Sequence, residues 1–170
     1  MNFYHFNKKR IASYAKLLAL IILCAVGHYR ANARAYVKVV DGDSLEIGQK
    51  RVRLLEIDAP EYQQFCFDEN GKKYDCGAEA KKYLLHMLKQ AHFKVDCKTK
   101  QKDRYKRELA ECFAGDLNLN LEMIRAGWAV AYRTENKAYL KAEKKAKKEA
   151  KGLWQGKFMR PEYYRRLHRR

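Results

Sequence analysis

The sequence has 170 residues, enough for one domain with appendages but not for several. Its 37 lysines and arginines against 20 acidic residues give a formal charge of +17. That excess excludes a polycation as partner and favours a polyanion, nucleic acid first. Lipid headgroups or acidic polysaccharide would satisfy the same charge, so basicity excludes little more.

Residues 1–35 differ from the remainder. Lys8, Lys9, Arg10 and Lys16 form a positive region without an acid, Leu17 to Gly27 is an apolar run of eleven residues, and Ala33-Arg34-Ala35 has the small-x-small form of a cleavage site. This layout predicts a secretory signal peptide and an exported, periplasmic or secreted product. The alternative is an uncleaved membrane anchor, the only case in which a membrane becomes a partner. Eleven residues fall short of the roughly 20 that a spanning helix needs. Lipid modification of Cys24 is disfavoured by the large Leu23 before it. Without residues 1–35 there remain 31 basic and 20 acidic residues, a charge of about +11.

The stretch from Val39 to Glu61 concentrates the chemistry. Val37, Val39 and Val40 lead into the turn Asp41-Gly42-Asp43, and Leu45 and Ile47 alternate out of it. A second turn, Gly48-Gln49-Lys50, precedes the apolar run Val52, Leu54, Leu55 and Ile57, which ends at Asp58-Ala59-Pro60. A meander of this kind folds its ends back, which would set Asp43 beside Asp58. Two carboxylates that close repel unless a proton or a cation lies between them. Oxygen donors suit calcium or magnesium rather than zinc. With Glu61 and Arg53 nearby, this is equipment for phosphodiester hydrolysis.

Pro60 to Gly77 reads as a long polar connection, followed by a helical stripe over Ala78 to Ala91 carrying Ala80, Leu84, Met87, Leu88 and Ala91. His86 and His92 have no carboxylate or cysteine at ligand spacing and read as surface or packing residues. Phe93 to Cys97 and Leu109 to Phe113 look like strands flanking the charged loop Lys98 to Arg107. Cys97 and Cys112 would then face each other, leaving Cys66 to pair with Cys76. A zinc site is the competing reading, but the spacings are not the short paired ones of zinc modules. A short helix begins at Asn118-Leu119-Asn120-Leu121 with Leu121 and Ile124 inward, and Trp128 to Tyr132 forms an apolar strand. Ala138 to Lys151 has high helix propensity, with Tyr139, Ala142, Ala146 and Ala150 along one face and Gly152 as its stop. Residues 155–170 form a basic aromatic tail that would stack on bases, dock on the domain or stay free of it.

Three motifs in order carry a resemblance: Asp41-Gly42-Asp43-Ser44, then Val52-Arg53-Leu54-Leu55 through Ile57-Asp58-Ala59-Pro60-Glu61, then Asp103 to Ala110. They resemble the thermonuclease (staphylococcal-nuclease-like) family, exported type with extra cysteines, from about Tyr36 to Trp154. The order of elements fits α+β, mainly β: a five-stranded OB-fold barrel with about three helices. The resemblance implies a calcium-dependent nuclease acting on DNA and RNA, monomeric and without a stable protein partner. Asp43, Asp58 and the backbone carbonyl of Ala59 would hold calcium, with Asp41 in the outer shell. Glu61 would orient or deprotonate the attacking water, Arg53 and Arg107 would clamp the phosphate, and Tyr105 and Tyr132 would position substrate. Lys106 stands where the family usually has glycine, a residue suited to a left-handed turn; lysine there would shift or strain Arg107, and Glu108 is placed to pair with Arg107 and weaken phosphate binding.

Two rivals stand beside this reading. Asp43, Asp58, Glu61, Arg53 and Arg107 could form a purely structural ion network. The chain could also be a non-catalytic extracytoplasmic OB-fold module binding nucleic acid or acidic polysaccharide.

Overall fold

A computed structural model describes residues 36–168; the predicted signal segment, residues 1–35, lies outside them. The sheet follows the path β1 (Val37–Val39), β2 (Ser44–Ile47), β3 (Lys50–Leu54), β8 (Glu108–Ala114), β7 (Asp96–Lys102). All neighbours are antiparallel except β3 and β8, which run parallel. The short β9 (Leu117–Asn118) pairs with β8. Two small ladders complete the β structure: β4 (Ile57–Asp58) with β10 (Val130–Ala131), and β5 (Cys66–Phe67) with β6 (Lys73–Tyr74). The helices are α1 (Cys76–Gln90), α2 (Leu119–Arg125), α3 (Lys137–Lys148) and α4 (Pro161–Leu167), with a 3₁₀ turn over Gly152–Gln155. The class is the mixed, mainly β one expected, a curled five-stranded sheet, but with four helices among the described residues rather than about three. The fourth lies in the segment read from sequence as a tail. No helix among the described residues is long and apolar enough to cross a membrane.

The core follows from the periodicities. Val37, Val39, Leu45, Val52 and Leu54 point inward from the meander and meet Ala80, Leu84, Met87 and Leu88 of α1. Alternation along β8 buries Ala110, Cys112 and Ala114 against the same cluster. Helices α2 and α3 start at Asn118 and Asn136, whose side chains accept from Leu121 N and Ala138 N, the usual satisfaction of free helix-start donors.

Several boundaries differ from the sequence reading for tertiary reasons. Strand β7 begins at Asp96 and runs through the charged Lys98–Lys102 segment, because the β8 ladder continues to Lys102 opposite Glu108. A solvent-facing edge strand tolerates such charge. Helix α3 ends at Lys148, so Ala150 is exposed in a left-handed conformation (φ 49°) rather than on the buried stripe. The chain turns there to bury Leu153, whose N–H donates to the Gly127 carbonyl at 2.9 Å. Helix α2 buries Leu119, Asn120, Met123 and Ile124, while Leu121 is only partly covered.

Asn120 is a polar hub inside this core. Its Oδ1 accepts from Cys112 N at 3.0 Å, and its Nδ2 donates to the carbonyls of Leu55 (2.9 Å) and Ala110 (3.1 Å). It thereby ties α2 to β8 and to the segment between β3 and β4. Asn120→Ala is expected to lower unfolding stability by about 1–3 kcal/mol, because buried backbone groups lose their partners. Urea denaturation measures it, and a change below about 0.5 kcal/mol would contradict the hub role.

Two disulfides, Cys66–Cys76 and Cys97–Cys112, staple the fold. Cys97 and Cys112 are directly opposite in the β7–β8 ladder. Such bonds form and persist in oxidising compartments.

Candidate active site

The turn at Asp41-Gly42-Asp43 is tied by a hydrogen bond from Asp43 N to Asp41 Oδ1 at 3.0 Å. Gly42 is required by packing: a Cβ there would lie 2.7 Å from Ala59 Cβ and 2.8 Å from Ala80 Cβ. The turn at Gly42 is therefore pressed against the segment after β4 and the start of α1, and Asp43 follows directly. Its Oδ2 accepts from Ala59 N at 3.0 Å and its Oδ1 from Ser44 Oγ at 3.0 Å.

The β2–β3 register sets Ser44 opposite Arg53. Arg53 consequently reaches both aspartates: Nη1 lies 2.8 Å from Asp43 Oδ1 and Nη2 lies 2.6 Å from Asp58 Oδ1. Asp43 and Asp58 are almost fully buried, at 2% and 1% exposure. The planar fork of arginine spans the pair where a point charge would not.

Arg165, from α4, is a member of this cluster that the sequence reading missed. Its Nη1 lies 2.8 Å from Asp58 Oδ1 and 3.0 Å from Glu61 Oε1, and its Nη2 lies 3.0 Å from Asp58 Oδ2. No local signal could have found it, since it comes from a basic segment 107 positions after Asp58. Glu61 itself is partly exposed and sits on a turn in which its carbonyl accepts from Gln64 N at 2.8 Å.

The electrostatics reflect an excess of negative charge. Among the described residues, Asp41, Asp43, Asp58 and Glu61 gather around two guanidinium groups, Arg53 and Arg165. Burial, followed by the neighbouring charge of Asp43, pushes the Asp41 carboxyl up to about 7. Burial also raises Asp58, against the lowering effect of Arg165 and Arg53. Burial would lower Arg53, but Asp43 and Asp58 outweigh it and hold the guanidinium firmly charged. A hard cation fits this surplus of buried oxygen donors. Among the described residues no three His, Cys, Asp or Glu side chains converge as a ready cage. The set named from sequence needs two carboxylates, one carbonyl and waters, which suits calcium rather than zinc.

Arg107 stands apart. Its Nε donates to Asp103 Oδ2 at 2.8 Å, and its Nη2 lies 2.8 Å from the same oxygen. Burial would raise Asp103, but the Arg107 N–H and guanidinium and the Tyr105 N–H together hold it below the usual carboxylate range. The parallel register places Val52 beside Glu108 and Arg53 beside Leu109. Arg107 thus lies just before β8, in line with Arg51 and two positions from the level of Arg53, roughly 7 Å along the strand. The expected pairing of Arg107 with Glu108 does not form. Glu108 instead accepts from Thr99 Oγ1 at 3.0 Å and lies 3.6 Å from Lys50 Nζ, because alternation along the strand turns successive side chains to opposite faces. Lys106 adopts a left-handed backbone, with φ 62°.

The structure places Tyr105 beside Arg107, with its N–H donating to Asp103 Oδ1 at 2.8 Å. It is half exposed, with the Arg107 guanidinium 5.6 Å from its ring centre and its hydroxyl accepting from Arg104 Nη2 at 2.8 Å. Tyr132 follows β10, donates its N–H to the Glu56 carbonyl at 3.0 Å, and carries the Arg133 guanidinium 4.9 Å over its ring. His86 and His92 are both exposed.

Residues 51–156 match the model of the family described as staphylococcal nuclease homologue. A Haemophilus influenzae protein named an uncharacterized endonuclease is 35% identical over 153 residues, covering 86% of this chain and 79% of that one. A succinoglycan biosynthesis protein, ExoI, of Rhizobium meliloti is 40% identical over 118 residues, covering 68% of this chain and 61% of that relative's length. The thermonuclease of Staphylococcus hyicus is 28% identical over 141 residues, covering 76% of this chain and 81% of that one. The match includes Arg53, Asp58, Glu61 and Arg107, and the chain belongs to the staphylococcal nuclease homologue family.

Proposed function

We propose that the protein is a calcium-dependent nuclease that hydrolyses phosphodiester bonds in DNA and RNA. The observation that supports it most is the convergence of Asp43, Arg53, Asp58 and Glu61 at one corner of the sheet, in a chain of this family. Asp43, Asp58 and the Ala59 carbonyl would hold the calcium, with Asp41 acting from outside through a water. When bound, calcium supplies positive charge against the charge building on the phosphate. The remaining work falls to the chain's own side chains. Glu61 accepts a proton from water as its oxygen bonds to phosphorus. The bond from phosphorus to the 5′-oxygen breaks, and the leaving oxygen takes a proton from solvent. Arg53 and Arg107 donate to non-bridging oxygens and offset their growing charge. Tyr105, already stacked near Arg107, would position a base or phosphate, with Tyr132 in support.

A two-stage basic character suits this substrate, since the charge draws in the polyanion while the buried carboxylates act on it. Export by the segment at residues 1–35, as a periplasmic or secreted monomer, is consistent with the two disulfides. The test is digestion of single-stranded DNA and of RNA in calcium, in magnesium and with a chelator. Calcium-dependent cleavage abolished by the chelator is the expected result. Tight binding of both nucleic acids without cleavage in any metal would replace this reading with the non-catalytic binding module.

A further inference from the structure

Both carboxylate oxygens of Asp58 and one of Glu61 are engaged by Arg165, a residue of the last described helix. The guanidinium is itself a cation lying on groups assigned to calcium and to the attacking water. From this geometry we infer that α4 is an autoinhibitory latch, with Arg165 competing with calcium for Asp58 and holding Glu61 away from its proton-accepting role. The inference rests on the reading of Asp43 and Asp58 as the calcium-holding pair.

The way α4 is attached supports a movable element on a fixed hinge. The segment before it is anchored: Phe67 and Lys157 exchange backbone hydrogen bonds at 2.8 and 2.9 Å, and the fully buried Gln64 donates its Nε2 to the Met159 carbonyl at 2.7 Å. Beyond that anchor the grip changes character. Pro161 is the one buried residue of α4, whereas Tyr163, Arg166 and Leu167 are exposed. Apart from Arg165, its polar ties to the rest of the domain are Tyr164 Oη to the Gln63 carbonyl at 3.3 Å and the Arg133–Glu162 ion pair at 3.7 Å. A seven-residue helix held to the domain chiefly by one charged side chain can be displaced by a competitor for that side chain's partners. The competitor named by the chemistry is a divalent cation. The negative phosphodiester chain would then receive the freed Arg165, Arg166 and Tyr163 instead of being repelled by the carboxylates.

A latch that must open before metal binds weakens apparent affinity by the fraction of time it is open. Calcium binding to the full chain, measured by calorimetry without nucleic acid, is therefore expected to tighten about tenfold in Arg165→Gln, with Arg165→Lys intermediate because lysine keeps the charge but loses the fork. In the unaltered protein, saturating calcium is expected to speed hydrogen exchange across residues 161–167 and to leave α1 unchanged. Equal or weaker calcium binding by Arg165→Gln overturns the latch, as does exchange in α4 that stays the same while calcium binds, or the absence of calcium binding in both proteins. The outcome separates cleanly from that of the nuclease reading. Tighter calcium binding by Arg165→Gln with no cleavage of DNA or RNA would keep the latch and sink the nuclease. Calcium-dependent cleavage with an Arg165→Gln midpoint unchanged would do the reverse.

Discussion

Glu61→Gln is expected to slow cleavage of single-stranded DNA by about 10²–10⁴-fold at saturating calcium, the range that a positioned general base contributes. Glutamine keeps the size and one acceptor oxygen, so the amide can still accept from Arg165 as the Glu61 Oε1 does at 3.0 Å. It has no carboxylate to take a proton. Because Glu61 is partly exposed and lies outside the buried pair, folding stability should change by less than about 0.5 kcal/mol. Calcium binding should also persist, since Asp43, Asp58 and the Ala59 carbonyl are untouched. Activity within tenfold of the unaltered protein would remove Glu61 from the proton-accepting role. Lost calcium binding would instead make it a metal ligand.

Arg53→Met is expected to destabilise the fold by about 3–5 kcal/mol in the presence of chelator, because it strips a partner from two buried carboxylates. Arg165 still covers Asp58, but Asp43 is left with only the Ser44 hydroxyl and the Ala59 N–H. Calcium at about a hundred times its dissociation constant should return roughly 2.7 kcal/mol by binding only the folded state. Arg53→Lys should fall between, since one ammonium cannot span 2.8 and 2.6 Å contacts to both aspartates. Arg107→Lys offers the contrast. Its bond to Asp103 lies within a surface turn and is worth at most about 1 kcal/mol, so the loss there, about 10²–10³-fold, should fall on the reaction. Urea unfolding beside turnover separates the two. Arg53 variants as stable as the unaltered protein in chelator would mean that Asp43 and Asp58 do not depend on that fork.

Arg53 and Arg165 share the counter-charge of the carboxylate cluster in different ways. Arg53 is the permanent counter-charge, half-buried in the sheet and set by strand register. Arg165 is a replaceable one, delivered by a helix at the rim. Buried carboxylates in a cluster need counter-charge from the fold itself. Arg165 supplies part of that charge from α4.

Much of this was legible in the sequence. The alternation of Val37, Val39, Leu45, Val52 and Leu54 specifies the meander, and turn residues at 41–43 and 48–50 fix where it reverses. The stripe of Ala80, Leu84, Met87 and Leu88 also fixed the buried face of α1. These features depend on neighbours in the chain, so local pattern is enough to determine them. The tertiary structure alone decided the extension of β7 through its lysines, because pairing with β8 outweighs the low strand propensity of a charged run. It likewise decided the partner of Arg107, since Asp103 and Glu108 are both close in sequence and only the turn and strand geometry selects between them. Asn120 and Arg165 complete the contrast. Each is an ordinary polar residue in the chain, and each acquires its meaning from groups that folding brings to it across 65 and 107 positions. Packing and charge neutralisation act over distances in space, which the order of residues does not record.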